Sequence, residues 1–187
     1  MKKLLFTFIT LICIVGLANA QNFGKAGSIE LSGQVAFSSS TAVANGTTDT
    51  ESATVFEIAP YVGYFIIDGF ELGFMPWFTI SKQAHVTDSR TQYLLFLAPS
   101  YNFLLKGNVV PFIEGLVGYT GYSQGSSKGS GISFGGGGGI KILVGKSALV
   151  RAGVYYVMID VSPEGASKRV GSNELQFMAG FGIVLGK

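Results

Sequence analysis

Residues 29–37 read Ile29-Glu30-Leu31-Ser32-Gly33-Gln34-Val35-Ala36-Phe37, and every second residue is apolar or Gly. Successive side chains of a strand point to opposite faces. The stretch therefore has one face of Ile29, Leu31, Gly33, Val35 and Phe37, and another of Glu30, Ser32, Gln34 and Ala36. The same period recurs seven more times along the chain. The apolar faces are Phe56 to Tyr64, Phe70 to Ile80, Tyr93 to Phe103, Pro111 to Tyr119, Ile132 to Ile142, Val150 to Met158 and Leu175 to Leu185, each taken at alternate residues.

The connections between these stretches alternate in length. Ser38 to Ser52, Lys82 to Arg90, Ser123 to Ser130 and Val161 to Ser172 are polar and long, and are expected to be loops. Asp68-Gly69, Lys106-Gly107-Asn108 and Gly145-Lys146-Ser147 are expected to be tight turns, with the Gly and Asn that hairpins use. Eight strands joined in this way predict an all-β fold, an eight-stranded antiparallel up-and-down transmembrane β-barrel, with both termini on the short-turn side.

Composition decides which face is outside. Charged residues make up 13% of the 187 residues, about half the share in a soluble domain. The alternate faces carry mostly Gly, Ser, Ala, Gln and Tyr, too small and too weakly charged to coat a water-exposed barrel. The apolar set is therefore assigned to lipid. Glu30, Glu57, Glu71, Glu114, Lys141, Arg151 and Glu174 all fall on the opposite, lumenal face, as they must where a basic residue facing mid-bilayer costs ~2–4 kcal/mol. Phe37, Phe56, Phe78, Tyr93, Tyr119, Tyr156 and Phe177 form one aromatic belt near the long loops. Tyr64, Phe70, Tyr101 and Phe103 form another near the short turns.

Residues 1–20 have the parts of a secretory signal peptide: basic Lys2 and Lys3, the uncharged run Leu4 to Leu17, and Ala18-Asn19-Ala20 as the cleavage site. Residues 21–187 are then the barrel domain. Cleavage takes Lys2 and Lys3, leaving 11 basic and 11 acidic residues, so no nucleic-acid partner is expected. Cys13 lies within the signal, and Ile12 stands where a lipid-attachment site wants a small residue.

The signal peptide, the eight-strand pattern and the phrases Ala59-Pro60-Tyr61-Val62-Gly63-Tyr64-Phe65 and Ala98-Pro99-Ser100-Tyr101-Asn102-Phe103 resemble small outer-membrane β-barrel proteins of the OmpA-type transmembrane domain, OmpX and opacity-protein group. The resemblance implies a monomer in the bacterial outer membrane with periplasmic termini. Its partners would be outer-membrane lipid and lipopolysaccharide, the barrel-assembly machinery during biogenesis, and an extracellular or envelope protein at the outer loops. The chain departs from the group in ending Leu185-Gly186-Lys187 rather than on an aromatic residue, and in carrying no peptidoglycan-binding domain.

An eight-stranded barrel is just wide enough to be filled by side chains. Tyr61, Trp77, Phe96, Phe112 and Tyr155 point inward by parity and predict a plugged lumen. Glu30, Glu71, Glu114, Lys141 and Arg151 lie in the short-turn half of their strands and form the candidate site. It is a structural charge network in which Arg151 and Lys141 pair with Glu114 and Glu71, with Glu30 at the edge. A proton or ion path is the alternative role for the same residues.

No cofactor, metal site or catalytic residue is predicted. Gly125-Ser126-Ser127-Lys128-Gly129 matches the nucleophile-elbow pattern, which requires a strand-to-helix turn, and it falls in a Gly/Ser connection. Gly145-Lys146-Ser147 resembles the end of a phosphate loop, but Ile140 occupies the position of the required first Gly. His85 with Asp88 and Ser89 is similar in kind to the set of outer-membrane acyltransferases, which makes a lipid-modifying enzyme the third reading. The second is OmpW-like passage of small or hydrophobic solutes. The first is a non-enzymatic barrel serving envelope integrity, adhesion or partner binding.

Overall fold

The computed structural model describes residues 23–44, 47–84, 88–145, 147–163 and 170–186; at 38–44, 47–52, 163 and 170 the backbone alone is described. Eight strands follow in order: β1 (Ile29–Ala44), β2 (Thr47–Ile67), β3 (Phe70–Lys82), β4 (Arg90–Asn102), β5 (Val109–Gln124), β6 (Ser127–Val144), β7 (Ala148–Pro163) and β8 (Val170–Leu185). Each pairs antiparallel with its neighbour in sequence, and β1 pairs with β8 to close the barrel. The all-β antiparallel barrel expected from the alternation is the observed fold. No helix among the described residues is long and apolar enough to cross a membrane.

Parity in the structure matches parity in the sequence. Val35, Phe74, Leu97, Ile113, Val117, Phe134 and Val154 face outward and are exposed. Glu30, Glu57, Glu71, Glu114, Lys141 and Arg151 face inward and are buried, and Glu174, half-buried, bonds to the inward Gln176. The aromatic belts follow the register: Phe37 lies opposite Phe56, Phe78 opposite Tyr93, and Phe70 opposite Tyr101. A Tyr ring there is buried in hydrocarbon while its hydroxyl reaches toward water.

The connections differ from expectation at several points. Ser38 to Ser52, expected as a loop, is largely strand, because β1 and β2 stay paired out to Ala44↔Thr47. Ser123 to Ser130 is a hairpin whose turn is only Gly125-Ser126, made possible by Gly125 at φ +56°. Arg90 begins β4 rather than ending a loop. On the other side, residues 103–108 separate β4 from β5, a longer connection than the Lys106-Gly107-Asn108 turn. Asp68-Gly69 is the expected tight turn, with Gly69 at φ +80°.

Three layers of side chains fill the lumen. At the short-turn end Phe23, Phe65, Val110, Leu149 and Val184 form a small apolar cluster. Beyond the charged layer described below, Tyr61, Met75, Trp77, Leu94, Phe96, Phe112, Leu116, Tyr155, Val157, Ile159, Val161 and Met178 make the main core. Trp77 packs edge-on against Phe96 and Tyr155, at centroid separations of 6.3 and 6.4 Å. The five inward-pointing aromatics inferred by parity are all within this core.

The glycine run of β6 is a packing requirement. A Cβ at Gly139 would collide with the Ala152 carbonyl of β7, and one at Gly135 with the Tyr156 carbonyl. Side-chain-free positions let the two backbones approach this closely. Gly139→Ala is expected to destabilise the barrel by about 1–3 kcal/mol through overpacking. Gly33→Ala, whose Cβ would meet nothing nearer than the Pro60 backbone at 3.9 Å, is expected to be close to neutral. Urea unfolding midpoints of the two variants in lipid vesicles check this.

Candidate functional site

The charged layer is built from five strands that the closed barrel brings around one axis. Lys141 of β6 donates to Glu30 Oε2 of β1 at 2.6 Å and to Glu71 Oε2 of β3 at 2.9 Å. Arg151 of β7 reaches Glu114 Oε1 of β5 at 2.7 Å through Nη2 and Glu30 Oε1 at 3.4 Å through Nη1. All of these side chains are completely shielded from solvent. Burying such groups costs several kcal/mol per ion unless partners replace the lost hydration.

The neighbours supply that replacement. Asn102 Nδ2 and Ser100 Oγ of β4 donate to Glu71 Oε2 at 3.1 and 3.3 Å. Ser32 Oγ donates to Glu30 Oε1 at 2.9 Å, and Arg151 Nη2 to the Tyr155 hydroxyl at 2.9 Å. Aromatic faces complete the shell. The Arg151 guanidinium lies 4.5 Å from the Tyr61 ring centre and 4.4 Å from that of Phe112, and Lys141 Nζ lies 5.3 Å from Phe112 and 5.5 Å from Phe23. Desolvated cation–π contacts of this kind are worth up to about 2 kcal/mol.

All five residues singled out from the sequence lie in one connected layer, but its centre differs from the one expected. Glu30 joins both cations instead of lying at the edge. The reason is in β8, which separates β7 from β1 and opposes Arg151 with Gly180 and Ser32 with Gly182. With no side chains there, Lys141 and Arg151 reach across β8 to β1. Two more glycines hollow out the other side: Gly63 and Gly73 face each other on β2 and β3. A Cβ on Gly63 would strike the Glu71 carboxylate, and one on Gly73 the Tyr61 phenol.

Sequence reasoning passed over Ser100, Asn102 and Phe23. Ser100 and Asn102 occupy inward positions of the phrase Ala98 to Phe103, so parity alone marks them. Phe23 precedes the first strand and carries no periodic signal. It is buried under Lys141 and stacks edge-on with Phe65 at 5.4 Å. Backbone bonds from Gly27 N to Phe65 O and from Gly69 N to Gly24 O tie this segment across the barrel mouth.

Outside the charged layer the remaining candidates do not converge. The nucleophile-elbow match lies on the β5–β6 hairpin, between two antiparallel strands. Gly145 lies in the β6–β7 turn, beside Lys146, which is outside the described residues. His85 also lies outside them; Asp88, described, has its carboxylate against Gly125. Among the described residues no group of three or more His, Cys, Asp or Glu is arranged to hold a metal ion. Nearer the outer rim, Gln176 Nε2 donates to Glu57 and Glu174, each at 3.3 Å, and Arg90 stacks on Tyr122 at 4.7 Å.

No protein-family model and no curated protein matches the chain. Solved structures do match it. Neisserial surface protein A superposes with a TM-score of 0.59 at 16% identity, over 84% of this chain and 97% of that one. The outer membrane protein OprG from Pseudomonas aeruginosa gives 0.56 at 17%, over 87% and 98%. The N-terminal β-barrel domain of Pseudomonas aeruginosa OprF gives 0.53 at 16%, over 86% and 98%. The fold is that of the small outer-membrane β-barrels. At these identities the likeness concerns the fold, and an outer-membrane barrel fold accounts for both the exposed apolar belt and the side-chain-filled lumen.

Two outcomes follow from this geometry. Lys141→Met leaves Glu30 and Glu71 without their shared cation and is expected to destabilise the barrel by about 3–5 kcal/mol, read as a lower urea midpoint with the folded gel mobility retained. At the barrel mouth, the Lys25 ammonium hydrogen-bonded to Asp68 at 2.8 Å, with the Ala26 amide at 2.9 Å, holds the exposed Asp68 carboxyl below its ordinary range. A depressed carboxylate contributes fully above its unfolded pKa and loses its contribution as pH falls through the folded value. Amide-exchange protection of Ala26, corrected for intrinsic rate, is expected to fall on acidification below the usual Asp range. Asp68→Asn removes that pH dependence.

Proposed function

We propose that the protein is a non-enzymatic integral barrel of the bacterial outer membrane, exported by the signal in residues 1–20, with both termini periplasmic. It inserts as a monomer, surrounded by lipid and lipopolysaccharide, after assembly by the barrel-assembly machinery. Its work is envelope integrity, with adhesion or protein contact through the outer hairpins. The observation that carries this reading is the pairing of an apolar exterior with a lumen filled across three layers, leaving the projecting strands β1–β2 and β5–β6 as the surfaces offered to the outside. Rigid scaffolds commonly display binding surfaces at their connections.

A second reading, passage of small apolar solutes, is favoured by one feature. The lumen carries apolar Leu94 of β4 and Val157, Ile159 and Val161 of β7 above the charged layer. The β1–β8 ladder stops at Val35↔Ala179, beside a groove of about 520 Å³ lined by Val35, Phe37, Ile140, Val154 and Phe177 among others. The charged layer and the Phe23 cluster beneath it argue against a through path for ions.

Fractionation with heat-modifiable gel migration tests the first reading: the protein is expected in the outer-membrane fraction, migrating faster unboiled than boiled. Recovery as a soluble periplasmic protein would overturn it. In planar bilayers the intact barrel is expected to show no stable conductance, whereas reproducible steps abolished by Glu114→Gln would establish an ion path instead.

A further inference from the structure

We propose that the charged layer binds one proton, held on Glu71 and shared with the Tyr61 hydroxyl. The inference starts from charge. Glu30, Glu71 and Glu114 are three carboxyl groups facing two cations, Lys141 and Arg151, so full ionisation leaves one uncompensated negative charge in a layer sealed from water. Arg151 stays protonated in any protein, and Lys141 Nζ donates to both Glu30 at 2.6 Å and Glu71 at 2.9 Å. One carboxyl must therefore carry the proton.

Among the described residues the other inward positions at this depth add no further charge. β1 adds Ser32 and Gln34, β4 adds Ser100 and Asn102, and β7 adds Tyr155. β8 presents only Gly180, Gly182 and Val184 opposite these residues.

Geometry selects Glu71. Glu30 touches both cations and accepts from Ser32, which suits a carboxylate. Glu114 accepts from Arg151 Nη2 at 2.7 Å, a nitrogen it shares with no other carboxyl. Glu71 shares its one cation, Lys141, with Glu30, which lies closer to it. Its Oε2 already accepts from Lys141, Asn102 and Ser100, while its Oε1 is buried without a partner. The Tyr61 hydroxyl, on a ring 1% exposed, is likewise buried without a partner.

Both orphaned atoms lie in the hollow left by one glycine pair: Glu71 Oε1 over Gly63, and the Tyr61 phenol over Gly73, directly opposite. A phenol both donates and accepts. A proton on Glu71 Oε1 turns that acceptor into a donor, and the unpartnered Tyr61 hydroxyl in the same hollow is the acceptor that a rotation of the carboxyl would bring to it. One proton thus balances the charge of the layer and gives the unpaired Glu71 oxygen a hydrogen to donate.

Difference infrared spectroscopy of the refolded mature barrel in lipid vesicles tests this. Measurements use a Glu57→Gln background, because Glu57 is another buried carboxyl with a free oxygen. At neutral pH a carboxylic-acid C=O band is expected, shifting in D2O, unaffected by sodium chloride, absent in Glu71→Gln, and lost also in Glu114→Gln, which leaves two carboxyls facing two cations. Tyr61→Phe is expected to displace the band by removing its hydrogen-bond partner. Should Glu71→Gln lack the folded gel mobility, Tyr61→Phe decides alone, and an undisplaced band overturns the assignment. Absence of any acid band, a band that survives Glu71→Gln, or one that sodium titrates away also overturns it, the last in favour of a bound cation.

Discussion

An unpaired peptide group in hydrocarbon has no water to bond to, and that constraint organises this chain. A sheet can occupy such surroundings only if it has no edge, and the β1–β8 ladder is what removes the edge here. Once β1 and β8 are joined, every alternate residue is committed to lipid or to the lumen, and a register slip of one would turn a whole strand inside out. Glu30, Glu57, Glu71, Glu114, Lys141, Arg151 and Glu174 share the inward side because the apolar exterior at their depth offers them no solvation. Closure also makes the lumen small enough that side chains exclude water from the charges placed there.

That exclusion sets the terms for the charged layer. Attraction between opposite charges strengthens as the local dielectric falls, but the cost of removing them from water rises with it. The layer manages both by sharing: Glu30 serves two cations, Lys141 serves two carboxyl groups, and aromatic rings pack against both cations. Breaking one member exposes several others to an unpaired state. The layer links β1, β3, β5, β6 and β7, so it ties together strands that are not neighbours in the sheet and resists slippage between them.

Most of the wall was legible from the sequence, because a barrel wall obeys a period of two and its turns carry Gly and Asn. Inward placement of Glu30, Glu71, Glu114, Lys141 and Arg151 follows from the same arithmetic. Which carboxylate meets which cation does not. Parity gives the side of the sheet, whereas pairing depends on barrel closure and on the side-chain-free positions Gly180 and Gly182, whose effect appears only when β7, β8 and β1 are adjacent. Phe23 was invisible for a similar reason: it belongs to no strand, and its burial depends on backbone bonds to Phe65 and Gly69 from two other elements. The outer connections were misjudged because Ser, Thr and Gly signal loops, yet above the apolar belt polar strands pair as readily as apolar ones.

The place where the β1–β8 ladder ends gives the closure argument its limit. Pairing stops at Val35↔Ala179, and the next outward-facing residues on the two strands are Phe37 and Phe177, members of the outer aromatic belt. The ladder thus ends one outward-facing residue below that belt on each strand. Beyond that belt headgroups and water can satisfy free N–H and C=O groups, so β1 continues with β2 alone and β8 with β7 alone. An unpaired edge there costs little, while the same edge a few residues lower would leave peptide groups bare in lipid. The sheet is therefore sealed over the depth where edges are forbidden and opens into separate hairpins where they are permitted.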